Sequence, residues 1–230
     1  MTISTRLAVP ALLGALLFSL PAAAQATQTE TERVDRTAAI HPGGQLRLKN
    51  FSGHVTVTGT NRADVAIHAV RRATRDRLNH IKLDVQETGD SVIIEANKKD
   101  SDWSERNDNV VETDLNIEVP SDVMVDVDAF SSDVIVKDVR GTLRVKTFSG
   151  SVDLSGSDKA IHAETFSGNI DVRISQGTAA SIDFDSFSGE LRTDVPMTFR
   201  SSNRRRVRAD IGAGGIDYYF KTFSGDVRIQ

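Results

Sequence analysis

The apolar positions of this chain fall into columns keyed to a recurring triplet. Phe-Ser-Gly stands at Phe51-Ser52-Gly53, Phe148-Ser149-Gly150, Phe166-Ser167-Gly168, Phe187-Ser188-Gly189 and Phe223-Ser224-Gly225, with a near copy at Phe130-Ser131-Ser132. From Phe130 onward the phenylalanines are 18, 18, 21 and 36 residues apart, the last being twice 18. A period near 20 is the mark of stacked repeats. Five residues before the phenylalanine stand Leu46, Val125, Leu143, Ile161, Ile182 and Tyr218, and three before it Leu48, Val127, Val145, Ala163, Phe184 and Phe220. Four after it come Val55, Val134, Val152, Ile170, Leu191 and Val227; six after it come Val57, Val136, Leu154, Val172 and Ile229, with Thr193 the polar exception.

Alternation within each half is the period of a β-strand. The parity of the apolar set changes across Phe-Ser-Gly, so two strands meet at a corner there, where glycine relaxes the backbone constraint. Two short strands cannot bury an apolar side alone, but like repeats stacked on one another exclude water together. The pattern therefore predicts an all-β fold: a parallel β-helix-like solenoid of about 18- to 21-residue coils, preceded by a mixed or antiparallel β region. A left-handed hexapeptide helix fits less well, because the apolar residues do not recur every six. If the corner rings are interior, Phe166→Ala costs about 3 to 5 kcal/mol; a loss below about 1 kcal/mol marks an exposed ring.

The N-terminal half departs from the repeat. Val65, Ile67 and Ala69 alternate, as do Ile81, Leu83 and Val85, and Glu87-Thr88-Gly89-Asp90 reads as a hairpin turn. Residues 97–109 form a long polar loop, and Leu115, Ile117 and Val119 resume a strand. Three segments result: a secretory leader over 1–26, an N-terminal β region with the first repeat over 27–122, and the regular solenoid over 123–230. The leader expectation rests on Arg6, the apolar run from Leu7 to Leu20 and the small-residue site Ala24-Gln25-Ala26. That run is too short and too interrupted by Pro10 for a membrane anchor, and no membrane-spanning segment is expected after cleavage.

Composition narrows the chemistry. The net charge of −4, one unit more acidic once Arg6 leaves, argues against nucleic acid as a partner. Without a cysteine there are no disulfides, thiol chemistry or cysteine-ligated zinc. His41, His54, His68, His80 and His162 show no ligand spacing, and Gly212-Ala213-Gly214-Gly215 lacks the lysine and spacing of a phosphate loop. No metal or cofactor is expected. A nucleophilic serine occurs once beside its base, whereas the corner serines recur in one phase, so Ser52, Ser149, Ser167, Ser188 and Ser224 read as structural, their hydroxyls bonding the turn. Outward acids and bases form ladders, Asp126, Arg144, His162 and Asp183 on one line and Asp128, Lys146, Glu164 and Asp185 on the next. Such mixed rows are an ordinary solvated sheet face; the alternative is an acid pair of a carbohydrate-active β-helix.

Two features are candidate binding elements: Trp103, in the polar loop, and the basic cluster Arg204, Arg205, Arg206 and Arg208. A second basic run spans Arg71 to Arg77. One corner between Phe187 and Phe223 has lost its triplet, and the chain ends on a full repeat with no cap, an open end suited to self-association through the C-terminal coil.

The leader, the repeated Thr-Phe-Ser-Gly-x-Val-x-Val units, the Val119 to Asp122 strand end and the closing Val207 to Gly215 and Ser224 to Ile229 segments resemble the bacterial putative-adhesin family of unknown function. The resemblance covers about residues 40–230 and implies an exported β-solenoid-like protein; it brings no catalytic residues. The expected function is a non-enzymatic envelope protein, adhesin-like at the surface or a scaffold or signalling partner in the periplasm, whose partner is an envelope protein or glycan.

Overall fold

The computed structural model describes residues 29–103 and 109–230. The leader expected over 1–26 and residues 104–108 of the polar loop lie outside them. The N-terminal strands are β1 (Glu30–Ala39), β2 (Gln45–Thr60) and β3 (Asp64–Ala73), followed by the short helix α1 (Arg75–His80) and by β4 (Ile81–Glu87), β5 (Ser91–Lys99) and β6 (Glu112–Pro120). The long β7 (Met124–Lys137) carries the Phe130 repeat. Strand pairs follow: β8 (Leu143–Ser149) with β9 (Val152–Ser155), β10 (Ile161–Ser167) with β11 (Ile170–Arg173), and β12 (Ala180–Ser188) with β13 (Leu191–Thr193). A hairpin of β14 (Met197–Ser202) and β15 (Arg206–Ile211) precedes the closing pair, β16 (Ile216–Ser224) and β17 (Val227–Ile229).

The chain is all-β, and its sheet does not close on itself. Each repeat contributes one strand before the corner and one after it. The strands before the corner stack in parallel in the order β5, β2, β7, β8, β10, β16, β12. Those after it stack as β6, β2, β7, β9, β11, β17, β13. The four apolar columns read from the sequence face inward and are no more than 3% exposed, apart from Leu191 and Thr193 in the three-residue β13. One apolar core runs from Ala38 to Ile229. Each of its larger side chains contributes roughly 1.5–3 kcal/mol of transfer free energy.

The order of the repeats differs from their order in the chain. The last repeat does not extend the stack: β16 lies between β10 and β12, and β17 between β11 and β13. The expectation of an open C-terminal coil is therefore corrected, since the edges on which its self-association was to rest are already paired. Nor is a coil missing between Phe187 and Phe223. That stretch is the β14–β15 hairpin, which runs back antiparallel along β12 and covers its outer edge. At the opposite end the antiparallel strands β4 on β5 and β3 on β6, with β1 beyond β3, cover the stack. Both ends of the first sheet thus finish in antiparallel strands that shield the parallel repeats from edge pairing.

Candidate interaction face

At the corner the sequence inverts the usual rule. The residue before each phenylalanine points in: Asn50, Ala129, Thr147, Thr165, Ser186 and Thr222 are 3–6% exposed, and all but Ala129 are polar. Thr165 Oγ1 donates to Gly150 O at 3.3 Å and Thr147 Oγ1 to Ser132 O at 3.3 Å, each reaching the corner of the neighbouring repeat. Asn50 Nδ2 donates likewise to Thr113 O at 3.1 Å. These hydroxyl and amide groups satisfy carbonyls that the bend leaves outside the ladder. The serines after the phenylalanines were expected to do this. Among the described residues they supply one bond, from Ser188 Oγ to Phe223 O at 3.5 Å. The signal overlooked was the polar residue recurring at an inward position.

Glycine is needed at the bend because the next backbone is so close. A Cβ built on Gly168 (φ 157°) would lie 2.1 Å from Gly150 O, and one on Gly225 (φ 152°) 1.8 Å from Gly168 O. The rings belong to the strands before the bend, and alternation turns them outward: in β10, Ile161, Ala163 and Thr165 point in and Phe166 points out. Phe51, Phe130, Phe148, Phe166, Phe223 and Phe187 are 42–55% exposed, so the interior placement weighed for Phe166 does not hold. They form one stack in that order, centroids 4.6–5.0 Å apart and planes within 14°. The spacing is that of neighbouring strands, about 4.8 Å, which is also a comfortable separation for stacked rings. Each inner ring has a neighbour over both faces, so the row presents ring edges.

Beside the row runs an open trough of about 800 Å³, with charged side chains along its other side. Two residues before the phenylalanines, the registers place Glu95, Lys49, Asp128, Lys146, Glu164, Lys221, Asp185 and Arg206 on eight consecutive strands. Their charges alternate without a break. Tyr219 and Lys221 stand where the sequence reading had set His162 beside Asp183 and Glu164 beside Asp185. Lys146 Nζ meets Glu164 Oε1 at 3.5 Å. Burial alone would raise the Glu164 pKa, but the hydrogen bond with His162 and the Lys146 charge outweigh it and hold the carboxyl below its ordinary value.

The arginine cluster splits between two tasks. The Arg205 guanidinium caps the end of the row, 4.8 Å from the Phe187 ring centroid. Arg206 grips Asp183 through two bonds, Nε to Oδ1 at 2.8 Å and Nη2 to Oδ2 at 2.5 Å, with Arg208 at 3.4 Å. The Arg206 hydrogen bond is the main cause of an Asp183 pKa held below its ordinary value. A carboxylate so held stays ionised near neutrality. Arg204 is exposed at the hairpin turn. Trp103 is not brought to this face: it is 5% exposed in a small second cluster with Ala73, Leu78, Ile81 and Val111, its ring stacked on His80 at 4.8 Å. Among the described residues no group of acids and histidines is arranged to hold a metal ion, and no helix is long and apolar enough to cross a membrane.

No curated protein matches the chain. Among solved structures it is similar to one described as a putative cell adhesion protein from Clostridium sporogenes, at 12% identity and a TM-score of 0.63, covering 86% of this chain and 99% of that one. A putative adhesin from Bacteroides fragilis matches at 11% identity over 86% and 97% of the two chains, with a TM-score of 0.39. The first likeness concerns the fold. Residues 44–230, from the start of the first repeat to the last residue, match a family directly: the chain belongs to the Toastrack DUF4097 family.

Proposed function

We propose that the protein is a non-catalytic, exported component of the cell envelope, a β-solenoid that works as an adhesin-like binding or structural module through the face carrying the phenylalanine row. The observation that supports this reading is the row itself: six rings in one unbroken exposed line. Exposed apolar residues scattered singly need no explanation, but a contiguous patch of this extent marks an interaction site. The description of the Clostridium sporogenes structure as a putative cell adhesion protein points the same way. Of the acids that an enzymatic reading would use, Asp183 and Asp185, the first is engaged by two arginines.

The test is retention of the labelled protein, at nanomolar concentration, on cells that produce it. Replacing Phe148 and Phe166 together by serine removes the middle of the row without touching the interior columns. Retention is expected to fall at least tenfold while the far-ultraviolet spectrum and melting midpoint show a folded chain. Equal retention of the variant and the parent overturns the proposal. Protease shaving of intact cells, with an epitope in the 97–109 loop, reports whether the exported protein reaches the surface.

A further inference from the structure

The two rows of this face suggest which partner it fits. The row beside the phenylalanines carries equal numbers of positive and negative groups in strict alternation. A polyanion or polycation laid along it would meet as many like charges as unlike. The phenylalanines offer edges, because their faces are covered by one another, so they give a sugar ring no flat platform. What suits both rows is a surface with an apolar ridge and an alternating ladder of the same pitch.

We propose that the partner is a second copy of this chain, docked face to face with its strand order reversed. The proposal rests on the binding face assigned above and names its occupant. Two sheet faces that meet face to face are related by a two-fold axis lying in the interface. An axis parallel to the strands keeps each row opposite the same row of the other copy while reversing the order of the strands. An alternating row with an even number of members is its own complement under that operation. Lys49 then faces the partner's Asp185, Asp128 faces the partner's Lys221, and Lys146 faces the partner's Glu164. Glu95 and Arg206 continue the row at its two ends, but the Arg206 guanidinium is held by Asp183 of its own chain, so the match between copies rests on the six central members. The phenylalanine row meets its own reversed copy, Phe51 opposite Phe187 and Phe148 opposite Phe166. An axis parallel to the stack would instead set charged rows against other rows, and it loses this match. A self-complementary patch of this kind is what an isologous dimer requires.

The area is adequate. Rings of about 200 Å² that are roughly half exposed give on the order of 500 Å² of apolar surface per copy. The flanking charged row brings this toward the roughly 800 Å² per partner of a stable interface. Sheets packed in this way stand about 10 Å apart, within reach of Phe and Lys side chains from both faces. Each copy would thereby cover the apolar ridge of the other, and envelope-bound copies could join through it.

The purified protein is examined by sedimentation equilibrium from 1 to 200 µM, at low and at high salt. A dimer that weakens with salt is expected. Lys221→Glu sets two like-charge contacts across the interface, one at each symmetric position, and is expected to weaken dimerisation at least tenfold. Asp128→Lys should do the same. The double variant, Lys221→Glu with Asp128→Lys, restores the opposition between copies and should recover the dimer. Within one chain residues 128 and 221 stand three strands apart, and the swap worsens both of their own neighbourhoods, so recovery reports contact between copies alone. Cysteine crosslinking supplies a second readout, because the chain has no cysteine of its own. A mixture of Phe51→Cys and Phe187→Cys proteins, treated with a short bismaleimide because facing sheets stand too far apart for a direct disulfide, should crosslink to the mixed dimer, whereas Phe51→Cys alone should not crosslink. A monomer throughout the range, a double variant no tighter than the single ones, or efficient crosslinking of Phe51→Cys with itself overturns the proposal. A monomeric parent whose phenylalanine variant still loses cell retention would sink self-recognition and leave the binding face standing. A charge-rescued dimer whose phenylalanine variant keeps full cell retention would do the reverse.

Discussion

The inside and the outside of the corner differ in a way that composition does not announce. Thr165 and Phe166 are adjacent, yet the threonine is 4% exposed and the phenylalanine 45%. Inside, the residue before the ring faces a carbonyl at the neighbouring corner, Gly150 O for Thr165 and Ser132 O for Thr147, so a small hydroxyl residue is the better occupant. Outside, rings repeated at the strand spacing cover one another's faces and lose about half of their exposure without entering the core. Position relative to the neighbouring repeat, more than hydrophobicity, decides which residue goes where. The same strand that hides Phe220 completely displays Phe223 three residues later.

That contrast can be broken by substitution, and the interior should suffer most. Phe220→Ala removes a ring that is 0% exposed and is expected to lower stability by about 3–5 kcal/mol in urea unfolding. Gly168→Ala comes next. Its new methyl would meet the Gly150 carbonyl, and its backbone would be strained at φ 157°, for a loss of roughly 2–4 kcal/mol. Phe223→Ala deletes a ring held between Phe166 and Phe187, with an expected loss of about 1–2 kcal/mol. If Phe223→Ala proved as damaging as Phe220→Ala, the outer row would be part of the core in energetic terms, and the distinction drawn here would fail.

The apolar columns were legible in the sequence because each strand obeys its period of two and each repeat restates the same offsets. Two things were not. The outward turn of the phenylalanines was hidden because the ring is in phase with the columns four and six after it and out of phase with those five and three before it, and it is the extent of the earlier strand, as in β10, that decides between them. The order of the repeats was hidden because like repeats present the same apolar columns, so the pattern alone does not say which repeat stacks on which. The charges held a clue to that order. Stacked in chain order, Glu164 would adjoin Asp185, and like charges directly opposite one another are destabilising. With the last repeat in between, Lys221 separates the two acids. The β14–β15 hairpin makes this possible by returning along the far edge of β12. As for the face itself, Arg205 and Phe187 were each picked out by the sequence, but their contact depends on that same hairpin.

The smallest expected effect lies where that hairpin meets β12. Asp183→Asn keeps the shape of the side chain and removes the charge that Arg206 and Arg208 hold. The pair is partly open to solvent, so screening limits the loss to about 0.5–1 kcal/mol at neutral pH, the range of a well-formed surface ion pair. Its pH dependence identifies the cause. The folded-state pKa of Asp183 is depressed, first by the Arg206 hydrogen bond. The stabilisation is therefore complete above the unfolded carboxylate value of about 3.9 and is lost as the pH falls below it through the folded value. The parent and Asp183→Asn should differ in urea midpoint at pH 7 and converge at the acid end of that window. A gap that stays the same at low pH would mean that packing, and not the charge of Asp183, fastens the hairpin to the end of the stack.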